Sequence, residues 1–365
     1  MKKLMLSTVA AGAVFAAAPA MAQIDVTIGG HTKNYIGYMD QDTSAGLEAR
    51  SFDMIRESEL HFNAEGTADN GLTYGFHIET EVDGGDSSTV EESYLYLASN
   101  LGRVNLGSED GANYLLQVAA PSADANIDGI RQYINPVNYA VTGLGAAFGA
   151  SLDYANDVSN TDEKITYLSP VWNGFQMGLS YTPDVAQGAN EDINSASGLL
   201  GFAADDAEDN LSSAYEGAAR YEGTYNNIGF AVGAGYTHVG IEEDNVGNNT
   251  DDVQQWNTGL DLDIGAFGVG AIYTETNNVG GTDNVDSESY VVGVDYTTGP
   301  FQFGASYLNK DDDSFTAETD RYTGGVVYTA APGLSFRGSL SHVQTDRTGA
   351  DVDATSLLGG VQMNF

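Results

Sequence analysis

Three oxygen-bearing side chains occupy alternate positions near the middle of the chain. Asp124, Asn126 and Asp128 precede a glycine in the pattern D-x-N-x-D-G. Carboxylate and amide oxygens at this spacing, with a glycine for the sharp turn, match the first half of a calcium-binding loop. The twelfth position of such a loop is normally a bidentate glutamate, and here it is Asn135. The pattern therefore predicts either a calcium site at Asp124, Asn126 and Asp128 or an ordinary Asx-rich turn.

No spacing in the sequence selects a set of catalytic groups. The histidines are His31, His61, His77, His238 and His342. They lie one per predicted strand, without an H-x-x-x-H pair and without a cysteine to complete a metal site. Each is expected to be a polar residue of a lumen or an interface. We predict that the protein is not an enzyme and requires no cofactor, with calcium as the candidate ion.

The start of the chain has the features of a secretory signal peptide. Lys2 and Lys3 provide the charge, residues 4–18 form an apolar run, and an A-x-A triplet precedes Gln23. The alternative is a retained membrane helix, but the run is shorter than the ~20 residues that span a bilayer. Glycine, tyrosine and Asx residues remain frequent from Gln23 onward, with no linker. We expect a signal peptide at residues 1–22 and one domain at residues 23–365.

The charge balance limits the classes of partner and fold. The chain has 52 acidic against 13 basic residues, a formal net charge of −39. Such an excess argues against nucleic acid as a partner, because phosphates are neutralised by clustered Lys and Arg. It favours solvated acidic loops, divalent cations or a salty habitat. After residue 22 no apolar run is long enough for a membrane helix. The β-barrel is the other fold in which all backbone N–H and C=O groups can be hydrogen-bonded within a membrane.

Apolar and polar residues alternate through most of the chain. In the segment FQFGASY, residues 301–307, apolar side chains alternate with glutamine, glycine and serine, which is the period of a strand with one wet face. Arg220, Arg321 and Arg337 fall on the face opposite the aromatics, and an arginine facing lipid costs ~2 to 4 kcal/mol. Short turns alternate with long acidic loops. These patterns predict an all-β, 16-stranded antiparallel transmembrane β-barrel with a water-filled lumen.

One connection is far longer than the others and covers about 109–162. Loops of this length are normally functional or disordered. Tyr114, Val118 and Tyr139 belong to a set of apolar side chains in it that need a surface for packing. An alternating stretch at residues 146–154 would add an odd seventeenth strand and is not counted as one. We expect the connection to fold into the barrel as a constriction loop.

The opening IDVTIGGHTKNYIGY, the hairpin KITYLSPVWNGFQMGLSYTP and the ending GGVQMNF with Phe365 resemble the Gram-negative general porin family, especially its alphaproteobacterial members. The resemblance covers essentially all of residues 23–365. It implies an outer-membrane channel through which small hydrophilic solutes and ions diffuse passively. It also implies a homotrimer in contact with outer-membrane lipid and lipopolysaccharide, with the third loop narrowing each lumen.

The resemblance further implies opposed charges across the constriction. The candidates for the acidic side are Glu109, Asp110, Asp124 and Asp128. The candidates for the basic side are Lys33, Arg50, Arg56 and Arg103. Opposed charges across a narrow pore orient dipolar solutes and set ion preference. The alternative is that the acids are ordinary solvated loop residues. The net charge predicts a modest cation preference that weakens as salt screens it.

Three other functions fit parts of the pattern. A substrate-specific channel on the same barrel would need a line of aromatic and charged residues along the lumen, which composition does not test. An outer-membrane enzyme or adhesin would be expected to show a coherent catalytic set. A soluble β-solenoid would show a fixed repeat period, whereas the segment lengths here are irregular.

Overall fold

The computed structural model describes residues 24–82, 89–122, 134–150, 152–185, 209–242, 249–347, 349 and 351–365. The predicted signal peptide, residues 1–22, lies outside the described residues. Across the described ranges, sixteen strands form one closed sheet in which each strand pairs with its sequence neighbours and β1 pairs with β16. All of these pairings are antiparallel, for example between β12 and β13. The predicted sixteen-stranded barrel is confirmed.

The strands differ widely in length around the barrel. They are β1 (Asp25–Gln41), β2 (Phe52–Thr67), β3 (Thr73–Glu81), β4 (Thr89–Ser99), β5 (Gly102–Ser108), β6 (Glu163–Leu168), β7 (Phe175–Thr182), β8 (Leu211–Tyr225), β9 (Ile228–Ile241), β10 (Val253–Ile264), β11 (Phe267–Asn277), β12 (Ser287–Thr298), β13 (Phe301–Asp312), β14 (Ala317–Ala331), β15 (Leu334–Arg347) and β16 (Val352–Asn364). Two short helices, α1 (Ala112–Leu116) and α2 (Ala146–Ala150), lie between β5 and β6. No helix in the described part of the chain is both long enough and apolar enough to span a membrane.

Successive side chains on each strand point to opposite surfaces of the barrel. On β12, Tyr290, Val292 and Val294 are exposed on the outer surface, while Val291 points inward and is buried. Cross-strand aromatic pairs form two levels on this outer surface. Tyr307 and Tyr322 have ring centroids 5.0 Å apart at one level. Phe267 with Tyr296 and Phe301 with Tyr328 belong to the second level. An apolar band between two aromatic levels is typical of a barrel in a bilayer.

Short turns connect the strands at one end of the barrel, which we call the turn rim. Between β8 and β9 the turn consists of Asn226 and Asn227, with φ of 48° and 63°. Two successive residues with positive φ are required by the type I′ turn, whose twist matches that of the strands it joins, and asparagine tolerates this conformation. The longer connections lie at the opposite end, which we call the loop rim.

The long connection begins within the barrel because the strands beside it are short. β5 has 7 residues and β6 has 6, whereas β14 has 15. The chain therefore leaves the wall at Ser108, opposite Ser93 of β4. Buried apolar clusters join residues of this connection to inward-facing residues of the wall. One cluster contains Ala120, Tyr154, Ile272, Val291 and Leu308. The described parts of the predicted constriction loop thus fold against the inner wall and form a core there.

Candidate functional site

The first limb of the constriction loop, residues 109–122, is attached to the inner surface of β7, β8 and β9. The backbone N–H of Ala112 donates to Ser180 Oγ at 2.8 Å. The backbone N–H of Asn113 donates to Glu216 Oε2 at 3.1 Å, and its side-chain amide donates to Thr237 Oγ1 at 2.5 Å. These three wall residues are buried and lie on consecutive strands. Ser180 and Glu216 thus satisfy backbone N–H groups of the loop that would otherwise be unpaired inside the barrel, and Thr237 satisfies the Asn113 side chain.

The second limb of the loop, residues 152–162, is hydrogen-bonded to the first limb and to the wall. The Gln117 amide donates to the carbonyl of Tyr154 at 2.8 Å and accepts from the backbone N–H of Asn156 at 3.0 Å. Arg220 of β8 donates to the Gln117 carbonyl at 3.0 Å. Thr274 of β11 donates to the Tyr154 carbonyl at 3.0 Å. The two limbs and the wall therefore form one hydrogen-bonded unit.

Inward-facing glycines provide the space in which the loop lies. A Cβ atom at Gly293 of β12 would be 2.0 Å from the carbonyl oxygen of Pro121. A Cβ atom at Gly235 of β9 would be 2.6 Å from Asn113 Oδ1. Any larger side chain at these positions would displace the loop from the wall. These glycines have no special turn conformation, so their role comes from close approach.

From residue 134 onward the described part of the loop contacts β14 and β1, away from β7 to β9. Arg321 of β14 donates to the Ile134 carbonyl. Gln41 of β1 exchanges two hydrogen bonds with the Asn138 backbone, at 2.9 and 3.1 Å. Phe148 of α2 packs against Phe315 with ring centroids 5.2 Å apart. The attachments of the described parts of the loop therefore run along the wall from β7 around to β1.

The described acidic candidates lie at the point where this loop leaves the wall. Glu109 is buried, and the Asn105 amide donates to both carboxylate oxygens at 2.6 and 2.7 Å. Burial raises the pKa of the Glu109 carboxyl, and the hydrogen bonds from Asn105 oppose that shift. The backbone N–H of Asp110 donates to Glu92 Oε1 at 3.3 Å. Asp124, Asn126 and Asp128 lie outside the described residues, so the calcium site and that part of the acidic side stay predictions.

Two of the four basic candidates point into the lumen. Lys33 of β1 is buried, with its ammonium 3.6 Å from Glu57 Oε2. Arg103 of β5 donates to Asn105 Oδ1 at 2.6 Å, and its guanidinium lies 4.0 Å from the centre of the Tyr96 ring. Both cations therefore belong to a mixed network of acids, amides and tyrosines on the inner wall.

The other two basic candidates lie elsewhere, which corrects the position expected for them. Arg50 is in the connection between β1 and β2, with 82% of its side chain exposed and its guanidinium 3.9 Å from Asp53. Arg56 shares a face of β2 with Phe52 and Met54, both of which are exposed on the outer surface. The period of two along β2 therefore places Arg56 outside the lumen.

Three histidines converge on the inner surface of β1, β2 and β3, although the sequence suggested only scattered positions. The ring centroids are 6.4 Å apart for His31 and His61 and 5.7 Å apart for His61 and His77. Within the described residues, the sets of His and Glu close enough to share a metal ion all involve β1 to β4. Part of this cluster could have been found from the tight turn at residues 69–71, because that turn sets His61 opposite Glu79.

A closed barrel with an apolar outer band, two aromatic levels and a loop packed against the inner wall is typical of outer-membrane β-barrel proteins. A family model described as Gram-negative porin matches residues 7–348. The chain belongs to the Gram-negative porin family. The expected family is thereby confirmed.

The curated relatives come from Rickettsia species and carry no functional name. An uncharacterized protein of Rickettsia felis is 28% identical over 309 residues, which is 74% of this chain and 66% of that protein. An uncharacterized protein of Rickettsia conorii is 27% identical over 308 residues, again 74% of this chain and 66% of that protein. This chain therefore spans slightly less than two thirds of the length of these relatives.

Two solved porin structures share the fold. A porin refined at 1.8 Å resolution has a TM-score of 0.60 at 18% identity, covering 93% of this chain and 100% of that one. An anion-selective porin from Comamonas acidovorans has a TM-score of 0.62 at 17% identity, covering 94% and 100%. At these identities the likeness shows the fold alone.

The close approach of loop and wall predicts the effect of one added methyl group. Gly293→Ala places a Cβ against the Pro121 carbonyl, so the first limb of the loop must move into the lumen. We expect a lower single-channel conductance in planar bilayers. Gly324→Ala is the control, because its Cβ would meet no atom closer than 3.9 Å. Equal conductance of the two variants would contradict the position of the loop.

Proposed function

We propose that the protein is a passive channel through which small hydrophilic solutes and ions diffuse across the outer membrane. The observation that carries this proposal is the attachment of the loop to the inner wall. Side chains of β7 and β8 accept hydrogen bonds from its backbone, and a side chain of β9 accepts one from the Asn113 amide. A loop that is fixed to the wall in this way narrows the lumen and does not act as a movable lid. Solute size then limits passage, and polar side chains of the wall solvate what passes.

Graded solutes test this proposal. With the protein reconstituted in liposomes, we expect swelling rates that fall steadily as neutral sugars increase in size and that rise linearly with sugar concentration. A diffusive pore has no binding step to saturate. Liposomes with Gly293→Ala protein should show a smaller size limit. Saturable uptake of one sugar over others of equal size would instead support a substrate-specific channel on the same barrel.

The proposed channel prefers cations. The support is the formal net charge of −39 and the set of acids on the inner face of β2 to β4. These acids include Glu57, Glu59, Glu79 and Glu92. Lys33 and Arg103 are the cations described on the same stretch of wall. The porin from Comamonas acidovorans with a similar fold is described as anion-selective, so the proposed cation preference rests on the charges of this chain and not on the fold.

Reversal potentials in a KCl gradient test the cation preference. We expect K⁺ to be preferred at about 0.1 M salt and less so at 1 M, because the Debye length falls from about 10 Å to 3 Å. Glu79→Gln should weaken the preference, since it removes a charge from the lumen. Glu288→Gln, on the outward face of β12 at the loop rim, should not change it. A preference for Cl⁻ in the unmodified protein would contradict this proposal.

The proposed assembly is a homotrimer whose outer surface contacts lipid and lipopolysaccharide. Its support is a polar patch on the outer surface of β1 and β2, formed by Thr32, Asn34, Arg56 and Ser58. Thr32 and Ser58 share a 2.7 Å hydrogen bond, and Asn34 donates to Thr32 at 3.0 Å. An arginine facing lipid costs ~2 to 4 kcal/mol at mid-depth. Contact with a second copy of the chain would replace that lipid with protein.

Arg56→Glu tests the trimer. Light scattering of the protein in detergent should give a mass of three chains for the unmodified protein and a smaller mass for Arg56→Glu. The reason is that reversing the charge leaves the polar groups of the neighbouring copy mispaired. Arg50→Glu, in the exposed connection, is the control and should remain trimeric. A single-chain mass for the unmodified protein would refute the proposed assembly.

A further inference from the structure

Two histidines and a glutamate meet on the inner wall at the junction of β1 and β2. His31 lies directly opposite Glu59, and His61 lies two residues further along the same face of β2. One potential ligand atom from each of the three lies within 4.8 Å of the other two. Glu59 Oε2 is 3.4 Å from His31 Nδ1 and 3.1 Å from His61 Nε2. We propose that these three side chains form a binding site for a transition-metal ion of the Zn²⁺ type.

The spacing of these atoms suits a zinc ion. Zinc bonds to imidazole nitrogen and carboxylate oxygen are about 2.0 to 2.2 Å long, which places tetrahedral donor atoms about 3.4 Å apart. The two distances from Glu59 Oε2 already lie near this value. Two histidines and one carboxylate are also the protein ligands of several catalytic zinc sites, which leave the fourth position to water. In the barrel that position would take water from the lumen.

A second layer of carboxylates orients both imidazole rings. His31 Nε2 is 2.7 Å from Glu57 Oε2, and His61 Nδ1 is 3.1 Å from Glu79 Oε2. A histidine that binds a metal normally donates its other N–H to a carboxylate or carbonyl, which selects the tautomer and holds the ring. The other ring nitrogens, His31 Nδ1 and His61 Nε2, both face the same oxygen of Glu59. The rings are therefore oriented for coordination.

Burial and donor type define the class of ion. Glu59 is 4% exposed, and a buried carboxylate is stabilised by pairing or by a bound cation. Imidazole ligands favour zinc, copper, nickel and iron, whereas calcium and magnesium prefer all-oxygen sets. The site is therefore distinct in chemistry from the calcium loop predicted at Asp124, Asn126 and Asp128.

A neighbouring set shares one ligand with this site. His61, His77 and Glu79 also place potential ligand atoms within 4.8 Å of one another. In that set the second nitrogen of His77 faces an amide, because Nδ1 is 2.7 Å from Asn63 Oδ1. The set at His31, Glu59 and His61 is favoured because both rings face carboxylates and its own carboxylate is buried. His77 is thus the residue that distinguishes the two assignments.

Calorimetry of the full, folded chain in detergent tests the site, with ZnCl₂ as the probe and no polyhistidine tag. We expect one Zn²⁺ per chain and no competition from excess CaCl₂. His31→Ala, His61→Ala and Glu59→Gln should each weaken binding by at least about tenfold, and Glu57→Gln by about tenfold, which is the loss typical of outer-shell partners. His342→Ala is the control, because that histidine lies on the outer surface of β15 beside Thr355. It should bind Zn²⁺ as the unmodified protein does.

Three results would overturn the proposal. The first is that the unmodified protein does not bind Zn²⁺, and the second is that both His31→Ala and His61→Ala bind it unchanged. The third is that His77→Ala loses as much Zn²⁺ affinity as His61→Ala does while His31→Ala still binds. A difference in gel mobility between the unheated and the heated sample establishes that each variant is folded. His61→Asn provides a second variant of similar polarity. Calorimetry does not depend on channel activity, so failure of this site and failure of the proposed function are separable.

Discussion

A sheet in lipid must pair every backbone N–H and C=O within itself, because hydrocarbon offers no partner. The barrel meets this constraint through the pairing of β1 with β16, which extends from His31 and Asn364 to Gln41 and Ala354. Without that pairing the sheet would have two free edges in the membrane. Closure also gives every strand one surface toward lipid and one toward the lumen. The apolar band, the aromatic levels and the polar interior all follow from this division.

The same constraint explains how a long loop can lie inside the barrel. A loop placed there must also satisfy its backbone groups, and side chains of the inner wall provide the partners. Ser180, Glu216 and Arg220 each bind a backbone atom of the first limb. Glycines such as Gly293 allow the loop to approach the wall closely. The wall beneath the loop is thus specialised for packing, whereas the inner face of β1 to β5 carries charged and histidine side chains.

Much of the fold could be predicted from the sequence, since alternation and turn residues are local signals. The inward positions of Arg220 and Arg321 agree with the prediction, as both bind loop carbonyls. The described residues of the stretch 146–154, all but 151, contain helix α2 and no strand, in agreement with its omission from the predicted strands. The course of the loop could not be predicted, because it depends on contacts between residues far apart in sequence.

The candidate site was less accessible from sequence. Arg56 was assigned to the lumen by analogy with a family arrangement, although its spacing from Phe52 and Met54 places it outside. The meeting of His31 with Glu59 depends on the register across the connection at residues 42–51, whose length does not fix a hairpin register. The roles of Asp124 and Asp128 in the constriction stay predictions, because both residues lie outside the described residues.

The position of the protein in the membrane depends on strands that have one face toward lipid and one toward water. Because the sequence contains no cysteine, single introduced cysteines can test this directly. Single variants Gln302→Cys, Phe303→Cys, Gly304→Cys and Ala305→Cys would be placed in lipid vesicles and exposed to a charged, membrane-impermeant maleimide. Labelling is expected at residues 302 and 304, which face the lumen, and protection is expected at residues 303 and 305, which face lipid. Equal labelling of neighbouring positions along β13 would contradict it.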